Sequence, residues 1–125
     1  MFKTSTRSLG DVVIIDCYGR IVMGEETASL RNQVKDLLSE SRQIVLNLAD
    51  VSYIDSSGLG TLVGLYTSAR SVGGEIKLAS LTSRVKDVLQ ITKLGSLFEF
   101  YDTAEEAAST FNRQPERTVA ARRAG

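Results

Sequence analysis

The chain contains no histidine and a single cysteine, Cys17. Histidine is the commonest general base and neutral metal ligand near pH 7, so its absence removes a Ser-His-Asp hydrolase outright. One thiol without an imidazole supplies no ordinary zinc ligand set and no internal disulfide. Cys17 lies in an apolar run and reads as a small buried hydrophobe. An excess of one charge is missing too: 15 lysines and arginines balance 15 aspartates and glutamates. Such a chain has no long-range field to draw in nucleic acid or an anionic membrane surface. No apolar run approaches membrane-spanning length, and the N-terminus Met-Phe-Lys-Thr-Ser lacks the apolar core of a signal peptide. These absences point to a cytoplasmic protein with neither a nucleic-acid partner nor membrane insertion.

The composition that remains, 42% hydrophobic and 24% charged over 125 residues, is that of one globular domain. A chain of this length buries roughly two-thirds of its unfolded surface and needs no covalent staple. Phe2 to Ser8 alternates weakly and ends at Leu9-Gly10-Asp11, which predicts an edge strand and a hairpin. Val12 to Tyr18 is β-branched and apolar, a central strand stopped by Gly19. From Glu25 to Glu40 the period becomes helical, with Ala28, Leu30, Val34, Leu37 and Leu38 as its apolar positions. Ile44 to Leu48 reads as a buried strand, and a helix beginning at Ser57 runs to Gly73-Gly74. Glu75 to Ala79 alternates as a strand, and a short helix carrying Val85, Val88 and Leu89 follows, capped by Thr82 or Ser83. Leu97 to Tyr101 predicts a last strand, and Asp102 or Thr103 caps a helix bearing Ala104, Ala107, Ala108 and Phe111. The order ββαβαβαβα describes an α/β domain, a mixed sheet with helices packed over it, spanning residues 1–111. Residues 112–125 hold the only proline and four arginines (Arg113, Arg117, Arg122, Arg123) and read as a flexible tail.

One junction concentrates candidate chemistry. In Ile54-Asp55-Ser56-Ser57-Gly58-Leu59-Gly60 a strand ends near Ile54 and a helix starts within a few residues. The first N–H groups of a helix lack intrahelical partners, and Asp55, Ser56 or Ser57 can each supply a capping oxygen. Gly58 leaves the backbone approachable. A phosphoryl group on Ser56 would bring a charge of about −1.5 to −2, repelled by Asp55 and attracted by the helix end. Against a partner surface shaped for a neutral hydroxyl the same dianion is costly, so the fold survives while an interface fails.

This stretch, after Ile44-Val45-Leu46-Asn47-Leu48-Ala49-Asp50-Val51, resembles the STAS family (sulfate transporter and anti-sigma antagonist domains), and within it the bacterial anti-sigma-factor antagonists. The resemblance covers Asp11 to Phe111, with Gly73-Gly74-Glu75-Ile76-Lys77-Leu78 and Ile91-Thr92-Lys93-Leu94 also in place. It implies helices mainly on one face of the sheet, and a partner-switching role. The unmodified chain would bind a serine-kinase anti-sigma factor and so release a sigma factor. Phosphorylation of Ser56, with Ser57 as fallback acceptor, would end that binding until a phosphoserine phosphatase resets it. Asp55 would orient the hydroxyl or the kinase, and Ser57, Gly58, Leu59 and Gly60 would contribute to partner docking. ATP and magnesium would belong to the kinase, so the chain itself would need no cofactor or metal and would be no enzyme.

Two features depart from the family pattern. After Gly19, where related domains often carry a leucine-aspartate pair, this chain has Arg20-Ile21-Val22-Met23-Gly24-Glu25-Glu26. Partner contacts should differ if that segment lies beside Ser56. The arginines of the tail have no counterpart either. A second function class is a STAS accessory subunit of a transporter or sensory complex, which binds partners without being phosphorylated; the Asp55-Ser56-Ser57 acceptor stretch disfavours it. An enzyme with Ser56 as nucleophile lacks an activating base. Lys93 and Gly95 fit no phosphate loop, and Val63 stands where a dinucleotide fingerprint needs its third glycine. Tyr18, Tyr53, Tyr66 and Tyr101 read as packing residues. The exposed strand Phe2 to Ser8 offers an edge for a weak homodimer.

Overall fold

The structure, a computed structural model, describes residues 2–111. The expected tail of residues 112–125, with its four arginines, lies outside the described residues.

Strand β1 (Phe2–Leu9) turns through Gly10-Asp11 into β2 (Val12–Ile21), and the two pair antiparallel from Phe2↔Gly19 to Leu9↔Val12. Gly10 holds φ 63, which a two-residue hairpin turn requires at its first position. Helix α1 (Glu25–Leu38) returns the chain to β3 (Gln43–Ile54), parallel to β2. Helix α2 (Ser56–Ser71), strand β4 (Glu75–Ala79), helix α3 (Ser83–Thr92) and β5 (Phe100–Tyr101) complete a five-stranded mixed sheet in the order β1-β2-β3-β4-β5. Residues 104–111 form a last helix, α4.

The predicted element order holds, with shifts of one or two residues at the end of α1 and the start of α2 and three larger boundary corrections. Gly19 does not stop β2: with φ 109 it sits at a register shift, and the strand continues through Arg20 to Ile21. The run Ile44–Leu48 is the first half of a twelve-residue strand. Its second half extends past β4 and pairs with β2 alone, so polar Asp50 and Ser52 face solvent there. The predicted strand Leu97–Tyr101 shrinks to two residues, because Leu94–Leu97 is a 3₁₀ turn and Phe98 is drawn into the core against Tyr66, ring centroids 5.3 Å apart.

Two apolar layers flank the sheet. On one face α1, α2 and α3 bury Leu30, Val34, Leu38, Leu59, Leu62, Leu65, Val85 and Leu89 against Ile15, Cys17, Ile44, Leu46 and Ile76. The buried stripe of α1 is Thr27, Leu30, Val34 and Leu38, while Ala28 is exposed. On the other face α4 alone packs Ala104, Ala107, Ala108 and Phe111 onto Val12, Ile14, Val45 and Ala79. Three helices against one make the arrangement mainly one-faced. Threonines cap the last two helices: Thr82 Oγ1 accepts from Val85 N, and Thr103 Oγ1 from Glu106 N.

Polar groups beneath α4 are paired. Asp16 accepts from Arg7 Nε at 2.8 Å and from Asn47 Nδ2 at 2.7 Å, and Arg7 also reaches Glu105. Lys77 is wholly buried; its Nζ donates to Thr110 Oγ1 at 2.7 Å, pairs with Glu99 at 3.2 Å and lies 4.2 Å from the Phe111 ring centroid. The buried ammonium thereby ties α4 to β4.

Candidate functional site

Strands β2 and β3 end side by side, with Ile21 opposite Ile54, and each feeds a helix. The crevice beyond the carboxyl ends of parallel strands is where open α/β sheets place their binding groups. Here it brings together the β2–α1 segment, the first turn of α2 and the first turn of α3.

Asp55, in extended conformation, is the N-cap of α2. Its Oδ1 accepts from Gly58 N at 2.7 Å, and its Oδ2 accepts from Met23 N at 3.2 Å. Asp55 N donates to Ile21 O at 3.3 Å, so backbone and side chain together join the β2–α1 segment to the helix start. The Gly58 N–H, assisted by that of Met23, holds the Asp55 carboxyl below the usual carboxylate range. Of the three residues considered for the cap, Asp55 takes it. Its oxygens serve the backbone rather than the Ser56 hydroxyl.

With Asp55 as cap, Ser56 is the first residue of α2. It is exposed, and its hydroxyl has no hydrogen-bond partner among the described residues. Ser57 is half-buried; its carbonyl accepts from Thr61 Oγ1, which in turn accepts from Arg31 Nη2 at 3.4 Å. Gly58 is buried against the end of β2, where an added Cβ would stand 2.0 Å from Ile21 O. Only glycine permits that approach.

The structure corrects part of the expected docking set. Leu59 is only 4% exposed and packs in the main core, and Gly58 faces Ile21, so neither lies on the surface. Helical spacing explains this: residues 58, 59 and 62 share the face turned to the sheet, while Ser56, Gly60 and Gly64 share the outer one. A Cβ added at Gly60 or Gly64 would meet nothing within 4 Å. Met23, whose N–H donates to Asp55 Oδ2, is 74% exposed in the β2–α1 segment. That segment does lie against Asp55. Met23 was not singled out in the sequence, where nothing marks a lone methionine before a glycine as exposed.

The STAS domain model matches residues 3–107, and the chain belongs to that family. The anti-sigma-B factor antagonist of Bacillus subtilis strain 168 is 34% identical over 91 residues, 73% of this chain and 77% of that protein. A shorter match, 46% identical, spans 58% of the length of a Thermotoga neapolitana relative. Among solved structures, TM1081 of Thermotoga maritima superposes with a TM-score of 0.80 at 32% identity, covering 88% of this chain and 95% of that one. SpoIIAA, solved in unphosphorylated and phosphorylated forms, shares the fold, with TM-scores of 0.75 and 0.68 at 22% identity and coverage of 88–89% of this chain and 96–99% of those. Among the described residues no helix is long and apolar enough to cross a membrane.

Proposed function

We propose that this chain is an anti-sigma-factor antagonist of the partner-switching kind, acting in the cytoplasm as a phosphoryl acceptor rather than a catalyst. Unmodified, it docks a serine-kinase anti-sigma factor through Ser56, Gly60 and Met23, with Ser57 at the margin and Asp55, Gly58 and Leu59 shaping the surface from beneath. Docking frees the sigma factor. The kinase, which brings ATP and magnesium, then transfers the γ-phosphoryl group to Ser56 Oγ; ADP leaves, and a base of the kinase takes the hydroxyl proton.

The observation that carries this reading is the exposed, unengaged Ser56 hydroxyl at the head of a helix whose cap is already occupied. Because Asp55 holds the Gly58 N–H, a phosphate on Ser56 meets a helix end with a carboxylate already in place. The chain offers the dianion little compensation, and the effect of modification falls on the interface, where a charge of about −1.5 to −2 would face a surface shaped for a hydroxyl. A phosphoserine phosphatase restores the hydroxyl.

The test combines the chain with serine kinases of the anti-sigma type from the same genome, ATP and magnesium. Intact mass and peptide mapping should find one phosphoryl group on Ser56. Ser56→Ala should still bind the kinase, and Ser56→Asp should not. No transfer, together with binding indifferent to both changes, would leave the non-phosphorylated accessory role in its place.

A further inference from the structure

The same end of the sheet carries two arginines that the switch does not use. Arg20, near the end of β2, lies opposite Tyr53 in the β2–β3 register, its guanidinium carbon 5.6 Å from the ring centroid. Arg84, in the first turn of α3, approaches the same ring at 5.5 Å. Thr82 brings that turn to β3, donating its Oγ1 hydrogen to Val51 O at 3.1 Å. Both arginines are exposed, and neither forms an ion pair among the described residues.

The contact with the Tyr53 ring favours each arginine separately, but not the two together. Two guanidinium groups on one ring repel each other, and among the described residues no carboxylate pairs with either. Arg84 also stands at the N-terminal end of α3, where the helix dipole favours an anion, and the first turn holds no acidic residue. What the arrangement does achieve is placement: both guanidinium carbons lie within 5.6 Å of the Tyr53 ring centroid, so two cations are gathered at one exposed surface where a carboxylate can bind their N–H edges.

We infer that Arg20, Tyr53 and Arg84 form a recognition surface for a carboxylate-bearing segment of the protein that docks at Ser56. That the segment belongs to this partner rests on the function proposed above. Its acidic chemistry rests on two cations that have no ion pair among the described residues and on continuity with the docking face: Tyr53 precedes Ser56 by three residues, and Arg20 adjoins Ile21, whose carbonyl accepts from Asp55 N. In a chain of zero net charge, such a local pair selects a partner and steers its register without attracting polyanions at long range.

Two measurements test the surface. In the first, the labelled full chain is titrated with a blocked tri-glutamate peptide while the Arg20 and Arg84 side-chain N–H signals are followed by NMR. Both should shift, and a tri-glutamine peptide should move neither; equal response to the two peptides would overturn the inference. In the second, kinase binding is compared for the wild type, Arg20→Gln/Arg84→Gln and Arg20→Lys/Arg84→Lys. The glutamine pair should weaken binding at least about tenfold at low salt, with the deficit shrinking as salt rises, and the lysine pair should recover part of it. Unchanged binding by the glutamine pair at every salt concentration would overturn the inference too. A wild-type chain that binds no serine kinase would sink the antagonist reading instead, and the glutamate titration alone would then decide the arginine surface.

Discussion

At the scale of single residues, Gly58 fixes the geometry on which Ser56 depends. Its missing side chain lets the first turn of α2 close against Ile21 O and puts its N–H within 2.7 Å of Asp55. Gly58→Ala must open that contact, so thermal or denaturant unfolding should show a loss of about 1–3 kcal/mol, the usual range for overpacking. Kinase binding should fall with it even though Ser56 is untouched. A variant as stable as the wild type would mean that the turn relaxes freely. The sequence made Gly58 visible as a permissive residue in a turn, but the backbone it must clear comes from β2, 37 positions earlier. Lys77 was hidden for a related reason: in an alternating strand it reads as a solvent-facing position, until α4 covers that face.

At the scale of elements, α2 divides its labour between two faces. The inner face is fixed by Leu59, Leu62, Leu65 and Ala69; the outer one, bearing Ser56 and Gly60, contributes little to the fold. Gly60→Ala should therefore raise stability by about 0.5–1 kcal/mol, since alanine is the better helix residue and its methyl meets nothing. The same methyl stands one helical turn from Ser56 and should weaken partner docking. Measuring both on one variant separates folding from recognition; parallel changes would refute the division. Existence and order of the elements were legible because each helix has its period and each turn its glycine or cap. Boundaries were less so. The second half of β3 follows polar residues along a single neighbour, and the face that Leu59 takes is set by the cap residue, which the sequence left open among Asp55, Ser56 and Ser57.

At the scale of the whole molecule, the α4 side of the sheet is thinner than the other and depends more on charge. Hydrogen bonding from Arg7, then from Asn47, holds the Asp16 carboxyl below its ordinary range. A depressed folded-state value stabilises the fold above the unfolded carboxylate pKa, and that contribution is lost as pH falls through the lower folded value. Stability should thus be insensitive to this group from neutral pH down to about pH 5 and decline below about pH 4. Asp16→Asn should cost about 1–2 kcal/mol at pH 7 and flatten part of that acid decline, as denaturant unfolding across pH would show. An unaltered acid limb would assign the loss to other carboxylates.

The other face carries a built-in reporter. Cys17, the chain's one thiol, is 1% exposed within the main core, and burial, with the neighbouring Asp16 charge, pushes its pKa up to about 12. A thiol reagent at neutral pH consequently finds neither access nor thiolate until the central sheet opens. The pace at which alkylation adds mass to the intact protein is then a clock for that opening, one that runs without any added label. Comparing its rate with kinase bound, free and after phosphorylation would show how far an event at Ser56 is felt in the middle of the sheet.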